Sequence, residues 1–250
     1  MRPRRGFRFN QQSGFTLIEL MISLLILGLV TGAVFSQMGG AQQHMNAEQV
    51  KLDNFQEARD FVDQFFRDVN QIGDPNPRMF DLTGGSWSPG LASPLINDRR
   101  LAVGLVKIDS NYIQFEGSVN GLGTVQSVIY SINGSGSCTL CLQRSQVDKV
   151  SANPLTGQAT NWGTEVNDVA SSPIFLYYDT NGTQITTLPK DINSDPATIA
   201  SVKTIKLSLT IRNPQVIDQK TGQPIETSFE GEVSLNNCSM AATGQGMSCE

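Results

Sequence analysis

Histidine is almost missing from this chain: His44 stands alone among 250 residues. One imidazole is too few for a zinc-binding His-Glu-x-x-His helix, and His44 stands in the membrane-proximal polar segment, far along the chain from any candidate nucleophile of a Ser/His/Asp set; no phosphate-cradling P-loop occurs. Charge is thin as well, at 16% of residues, and the basic part of it crowds one end, where Arg2, Arg4, Arg5 and Arg8 fall within ten positions. The remainder is therefore more acidic than the formal net charge of −5. It lacks the clustered Lys and Arg that phosphate binding requires, so no nucleic acid partner is expected. Paired carboxylates do occur, as Asp60 and Asp63 or Glu226 and Glu230. Their placement on an amphipathic helix and an alternating strand reads as solvated surface, not acid–base machinery. With 39% hydrophobic residues the chain is rich enough in apolar side chains to fold, and disorder is not expected. No enzymatic role, cofactor or metal is expected from this inventory.

What is present in quantity is a long apolar run. From residue 15 to residue 35 the only ionisable side chain is Glu19. At ~1.5 Å per residue such a run spans roughly 30 Å as a helix, enough to cross a bilayer core. The arginines precede it, which places the amino terminus in the cytoplasm and the rest of the chain outside, with a single pass through the membrane. A cleaved secretory signal is one competitor, using the small-x-small site at residues 39–41 and leaving Gln42 first. Its apolar region is normally ~7–15 residues, shorter than this one. A plain uncleaved anchor is the other. Neither accounts for Glu19, because an ionised Glu in a transmembrane helix costs on the order of 2.5–3.5 kcal/mol at mid-bilayer.

The residues Gly14-Phe15-Thr16-Leu17-Ile18-Glu19-Leu20-Met21 resemble the processing site of type IV prepilins, a short basic leader ending in Gly followed by Phe-Thr-Leu-Ile-Glu and an apolar helix. The resemblance implies that residues 1–14 are a leader, cut after Gly14 by a membrane aspartic peptidase on the cytoplasmic side. Phe15 would become the new amino terminus and be N-methylated by the same enzyme. Glu19 would pair with the terminal ammonium of a neighbouring subunit during assembly, since opposite charges attract strongly where the dielectric is low. Gly28 and Gly32 would form a small-xxx-small surface for packing between helices. The implied partners are the prepilin peptidase and methyltransferase, other pilin or pseudopilin subunits, an inner-membrane assembly platform, and membrane lipid before assembly. The resemblance also implies that the membrane crossed is the inner (cytoplasmic) one. In a pilus or pseudopilus the head would be periplasmic or extracellular.

Beyond the run, residues 36–73 read as a continuation of the helix, with Gly39 and Gly40 as the one soft point. Phe55, Ala58, Val62, Phe65, Val69 and Ile72 recur three and four apart, which places them on one face. Asn54, Glu57, Asp60, Asp63, Gln64, Arg67, Asp68 and Gln71 fill the other. Gly73, Asp74 and Pro75 end the helix. Residues 74–98 read as a long loop opening a head that runs to 250. β-like runs follow at 101–108, 112–116, 124–132, 174–178, 184–187, 201–212 and 229–235, separated by turn signals such as Asp179-Thr180-Asn181-Gly182. The polar stretch 145–167 reads as a loop. Helix first and antiparallel strands after gives an α+β fold, a long helix that is transmembrane and then amphipathic, packed on a β-sheet head.

The head more weakly resembles minor pilins of the PilW type, through Phe175-Leu176-Tyr177-Tyr178-Asp179, Asn181-Gly182 and the strand ending in Val233-Ser234-Leu235. The J-type minor pseudopilins of type II secretion share the layout. A head acting as a filament-borne adhesin, or an exported enzyme on an ordinary anchor, are the readings from other classes. Four cysteines, Cys138, Cys141, Cys238 and Cys249, would face an oxidising compartment and form disulfides, with three connectivities open. The pilin resemblance favours Cys238 with Cys249, closing a carboxy-terminal loop and leaving Cys138 to pair with Cys141. Redox catalysis at Cys138-x-x-Cys141 lacks the helix amino terminus that activates such thiols. Haem attachment fails because Leu142 stands where a His is needed. Asp179-Thr180-Asn181-Gly182 opens like a calcium loop but lacks the later ligands.

Overall fold

The computed structural model describes residues 14–74, 97–132, 140–170, 172–217 and 221–235, without the side chains of 43 and 214–216. Two compact units divide it, residues 1–48 and 49–250. The element order is one long helix, α1 (Leu17–Asn70), followed by β1 (Leu105–Asp109), β2 (Tyr112–Gly117), β3 (Gln126–Ile132), β4 (Leu142–Asp148), β5 (Trp162–Val166), β6 (Phe175–Asp179), β7 (Lys190–Asp191), α2 (Pro196–Ser201), β8 (Val202–Ile217) and β9 (Pro224–Ser234).

α1 stays helical through Gly39 and Gly40, as the absence of proline allows. Its first part contains an apolar stretch long enough to cross a membrane, none of it buried within the chain. The last turn tightens, with Gln71 N and Ile72 N donating to the carbonyls of Asp68 and Val69, and the chain leaves through Gly73 at φ 76°. That exit is fastened to the head. Gly73 N donates to Glu116 O at 2.9 Å, and Ile72 bridges Gly117.

The head holds two antiparallel sheets where one was expected. β5-β4-β3-β2-β1-β7 form the larger and β6-β8-β9 the smaller. Every pairing is antiparallel. Within residues 145–167, read from sequence as loop, lie most of β4 and all of β5. Gln143, Arg144, Ser145 and Gln146 are polar, yet they pair along β3 from Ile132↔Leu142 to Gln126↔Asp148, so the strand is held by ladder bonds and polar cross-strand pairs. The expected strand at 184–187 shrinks to a single bridge, Tyr178↔Gln184. The turn before it forms: Gly182 N donates to Asp179 O at 3.0 Å with Gly182 at φ 76°, which only a glycine adopts without strain. β8 and β9 run longer than their alternating cores suggest, because each extends the other's ladder as far as Ile217↔Pro224.

The buried face of α1 is rotated from the expected stripe. Ala58, Phe61, Phe65, Val69 and Ile72 are buried, and so are Asn54 and Asp68 from the face read as polar, whereas Phe55 is 48% exposed. The ring of Phe65 lies 5.3 Å from Tyr130 of β3 and 5.5 Å from Phe175 of β6, and Phe61 meets Tyr130 edge-on at 5.7 Å. The helix thus closes one core shared by both sheets, each such side chain contributing about 1.5–3 kcal/mol by leaving water. The sheets are tied directly as well, for Tyr177 Oη donates to the carbonyls of Asp109 and Tyr112 at 3.0 and 3.2 Å. Most of the loop expected at 74–98 lies outside the described residues.

Candidate functional site

Gly14 and Phe15 are exposed and precede the helix. Thr16 starts it. The Thr16 backbone N–H and hydroxyl donate to Glu19 Oε2 at 2.9 and 3.0 Å, and the Glu19 N–H donates back to Thr16 Oγ1 at 3.3 Å. This is a reciprocal capping box, which satisfies donors that the first turn of a helix otherwise leaves open. Thr16 was not singled out from the sequence, although Thr-x-x-Glu before an apolar run is the signal for it. Both bonds fall on Oε2, so Oε1 has no partner among the described residues. Gly28 and Gly32 lie one turn apart on the exposed part of α1, and a methyl group added at either would meet nothing. Nothing among the described residues requires glycine there.

In the head, polar groups are buried in pairs. Asp68, on α1, accepts from Tyr130 Oη at 2.6 Å, Arg144 Nε at 2.8 Å and Gln64 Nε2 at 2.7 Å. Its ion pair with Arg144 is completed at 2.7 Å. The carboxylate is fully engaged, and it anchors the helix to β3 and β4. Burial, together with the Asp68 charge, holds the Tyr130 hydroxyl well above the usual tyrosine range. A second pair is sealed completely: Lys149 Nζ lies 2.6 Å from Glu116 Oε2, both side chains at 0% exposure. Lys149 also donates to Leu101 O at 2.9 Å, and Val103 N donates to Glu116 Oε2 at 3.0 Å, so the pair pins residues 101–103 against β2. Burial pushes the Glu116 carboxyl up and the Lys149 ammonium down, each opposed by attraction to the other. Both clusters act as fasteners between distant parts of the chain.

The remaining candidates are spread apart. His44 is exposed on α1, as are Asp60 and Asp63. Glu226 pairs with Arg212, and Glu230 with Lys206 at 2.8 Å, on the surface of the smaller sheet. Asp179 Oδ1 accepts from the N–H groups of Asn181 and Thr183, both at 2.8 Å, so its carboxylate is occupied in closing its own turn. Among the described residues no three His, Cys, Asp or Glu side chains gather in a metal-ligating arrangement. Cys141 is disulfide-bonded; Cys138, Cys238 and Cys249 lie outside the described residues, as do residues 1–13 of the expected leader. A polar groove between α1 and the larger sheet is lined by Glu57, Asp60, Gln64, Arg67, Arg144 and Glu165, among others. Burial raises the Glu165 carboxyl there, against the pull of Arg144.

Comparison with known proteins points to the amino terminus. No curated protein matches the chain. Residues 9–35 match the family model of the prokaryotic N-terminal methylation motif, the same residues that hold the capping box and the start of the membrane-capable helix. The chain carries the N-terminal methylation motif of type IV pilin-like prepilins.

Proposed function

We propose that the protein is a minor type IV pilin, a structural subunit cut after Gly14, N-methylated on Phe15 and assembled into, or priming, a pilus. The methylation motif at residues 9–35 carries this reading. The arrangement around it supports the same sequence of events. Hydrolysis of the Gly14–Phe15 amide would free the Phe15 nitrogen one turn from Glu19. That carboxylate is already oriented by Thr16 and has Oε1 open. A carboxylate and an ammonium that are each costly in lipid attract strongly there, so their pairing between subunits favours one axial register. Gly28 and Gly32, where no described residue crowds a side chain, would let neighbouring helices approach closely. Leader removal and methylation are assigned to the prepilin peptidase, extraction to an inner-membrane platform. The head would lie outside the cytoplasmic membrane, with Cys138, Cys238 and Cys249 oxidised like Cys141. The size of the head, residues 74–250, favours a low-copy subunit over the bulk one.

Intact mass and terminal-peptide sequencing of the protein from native membranes, alongside pili sheared from the same cells, tests the proposal. The expected chain begins with N-methylated Phe15 and is present in the sheared fraction. A chain beginning at Met1 in cells with active peptidase, or at Gln42, overturns the processing. A methylated chain absent from every pilus preparation overturns the pilus assignment alone.

A further inference from the structure

β9 ends the smaller sheet and, among the described residues, nothing pairs with its outer side. Eleven residues of extended backbone, Pro224–Ser234, thus present every second N–H and C=O group outward. Such an edge is a template for another strand. We propose that it accepts an extended segment of a different protein, one with Lys or Arg at alternate positions and apolar residues between them.

Charge decides the first half of that description. β9 contains Glu226, Glu230 and Glu232 and no basic residue, and their even spacing puts all three on one face. Arg212 and Lys206 offset two of them, but from β8, one strand further in. A strand added outside would lie ~4.8 Å from β9 and about twice that from β8, so it meets the glutamates first. A second copy is disfavoured by the same spacing. Antiparallel self-pairing centred on β9 sets Glu opposite Glu or diagonal to it, which is destabilising. Basic side chains at those positions turn each repulsion into attraction.

The other face supplies the apolar half. Phe229, on that side of β9, packs its ring 5.0 Å from that of Phe55 of α1, tilted by 51°. Phe55 is 48% exposed and Leu52, one turn earlier, is 65% exposed. With Phe229 they form an apolar shelf next to β9 that the described residues leave partly uncovered. The inward residues of an added strand would cover it, as a strand with alternating pattern does wherever one face is buried. A neighbouring filament subunit is the natural source under the reading above, yet the edge can be assayed whether or not the chain enters a filament.

The test uses the full chain in detergent micelles and a strand-length synthetic peptide alternating Val and Lys. Controls are a Val and Glu peptide, and a Val and Lys peptide interrupted by a central Pro. The alternating basic peptide is expected to slow amide exchange across 224–234 and to bind at least about tenfold more tightly than either control, about 1.4 kcal/mol. The double variant Glu230→Lys, Glu232→Lys should reverse the preference between Lys and Glu peptides. Equal binding of the Pro-interrupted peptide would mean adsorption to the micelle, and unchanged exchange would mean no strand is added. Concentration-dependent protection without peptide would make a second copy the occupant. Any of these three overturns the proposal.

Discussion

Glu19 and Glu116 are both carboxylates set among apolar residues, and they are handled differently. Glu19 sits on the part of α1 whose apolar side chains are all exposed, and among the described residues its carboxylate bonds only Thr16, three positions earlier. Glu116 is sealed in the head with Lys149 at 2.6 Å, brought together from positions 33 residues apart. The amino-terminal half of α1 leaves its apolar side chains exposed, whereas the core of the head is closed by partners from its own chain. Interactions left open are therefore expected to govern assembly, and interactions closed within the chain to govern stability.

The strongest way to break that division is to open the closed pair. Glu116→Ala strands a buried ammonium and frees Val103 N, an expected loss of about 3–5 kcal/mol of head stability. Glu116→Leu with Lys149→Met should recover most of it, because removing both charges also removes the desolvation they suffer. Glu19→Ala should leave the unfolding midpoint of the head unmoved. Denaturant titration followed by near-ultraviolet circular dichroism checks all three. A midpoint shift in Glu19→Ala comparable to that of Glu116→Ala would end the division.

Glycines sharpen the same comparison. A Cβ on Gly117 would collide with the carbonyl of Gln71, which the bridge to Ile72 holds in place. A Cβ on Gly231 would instead meet the far end of the Phe66 ring, which can swing aside. Gly117→Ala should cost about 3 kcal/mol or more, and Gly231→Ala near 1 kcal/mol. Gly28→Ala, in open space, should not destabilise the isolated chain, since Ala is the better helix former by about 1 kcal/mol. Thermal or denaturant midpoints of the three variants give the ranking; a loss at Gly28 equal to that at Gly117 would show that α1 is already packed within the single chain.

What was legible in the sequence follows the same line. The amino-terminal methylation motif at residues 9–35 is carried by consecutive residues, so it could be read directly. The helix and the strands with alternating apolar residues, such as Val202, Ile205, Leu207 and Leu209, were legible for the same reason. β4 was not, because its polar side chains are satisfied from far away: Arg144 bonds Asp68, 76 positions earlier, and Gln126 reaches Asp148. The burial of Asp68 has the same origin. An acid beside Val69 looks solvent-facing until Tyr130 and Arg144 arrive over it. The division into two sheets likewise depends on which distant strands pair, and no window of sequence carries that.

Glu165 tests the intermediate case, a carboxylate half-closed by its own chain. It lies in the groove beside Arg144 and Asp68, and burial raises its pKa above the ordinary Glu value. An acid whose pKa is higher folded than unfolded binds its proton more readily in the folded state. Its contribution to stability is therefore complete below the unfolded pKa of about 4.3 and is lost as pH rises through the folded value. Because the side chain is partly exposed, solvent screens the effect, and about 0.5 kcal/mol or less is expected. Glu165→Gln removes the titration. The wild-type chain should thus hold its greatest advantage over the variant near pH 4 and lose it toward neutrality, as read from denaturant midpoints across that range. A gap independent of pH would mean that Glu165 ionises as an ordinary surface acid and that the groove is open to water along its whole length.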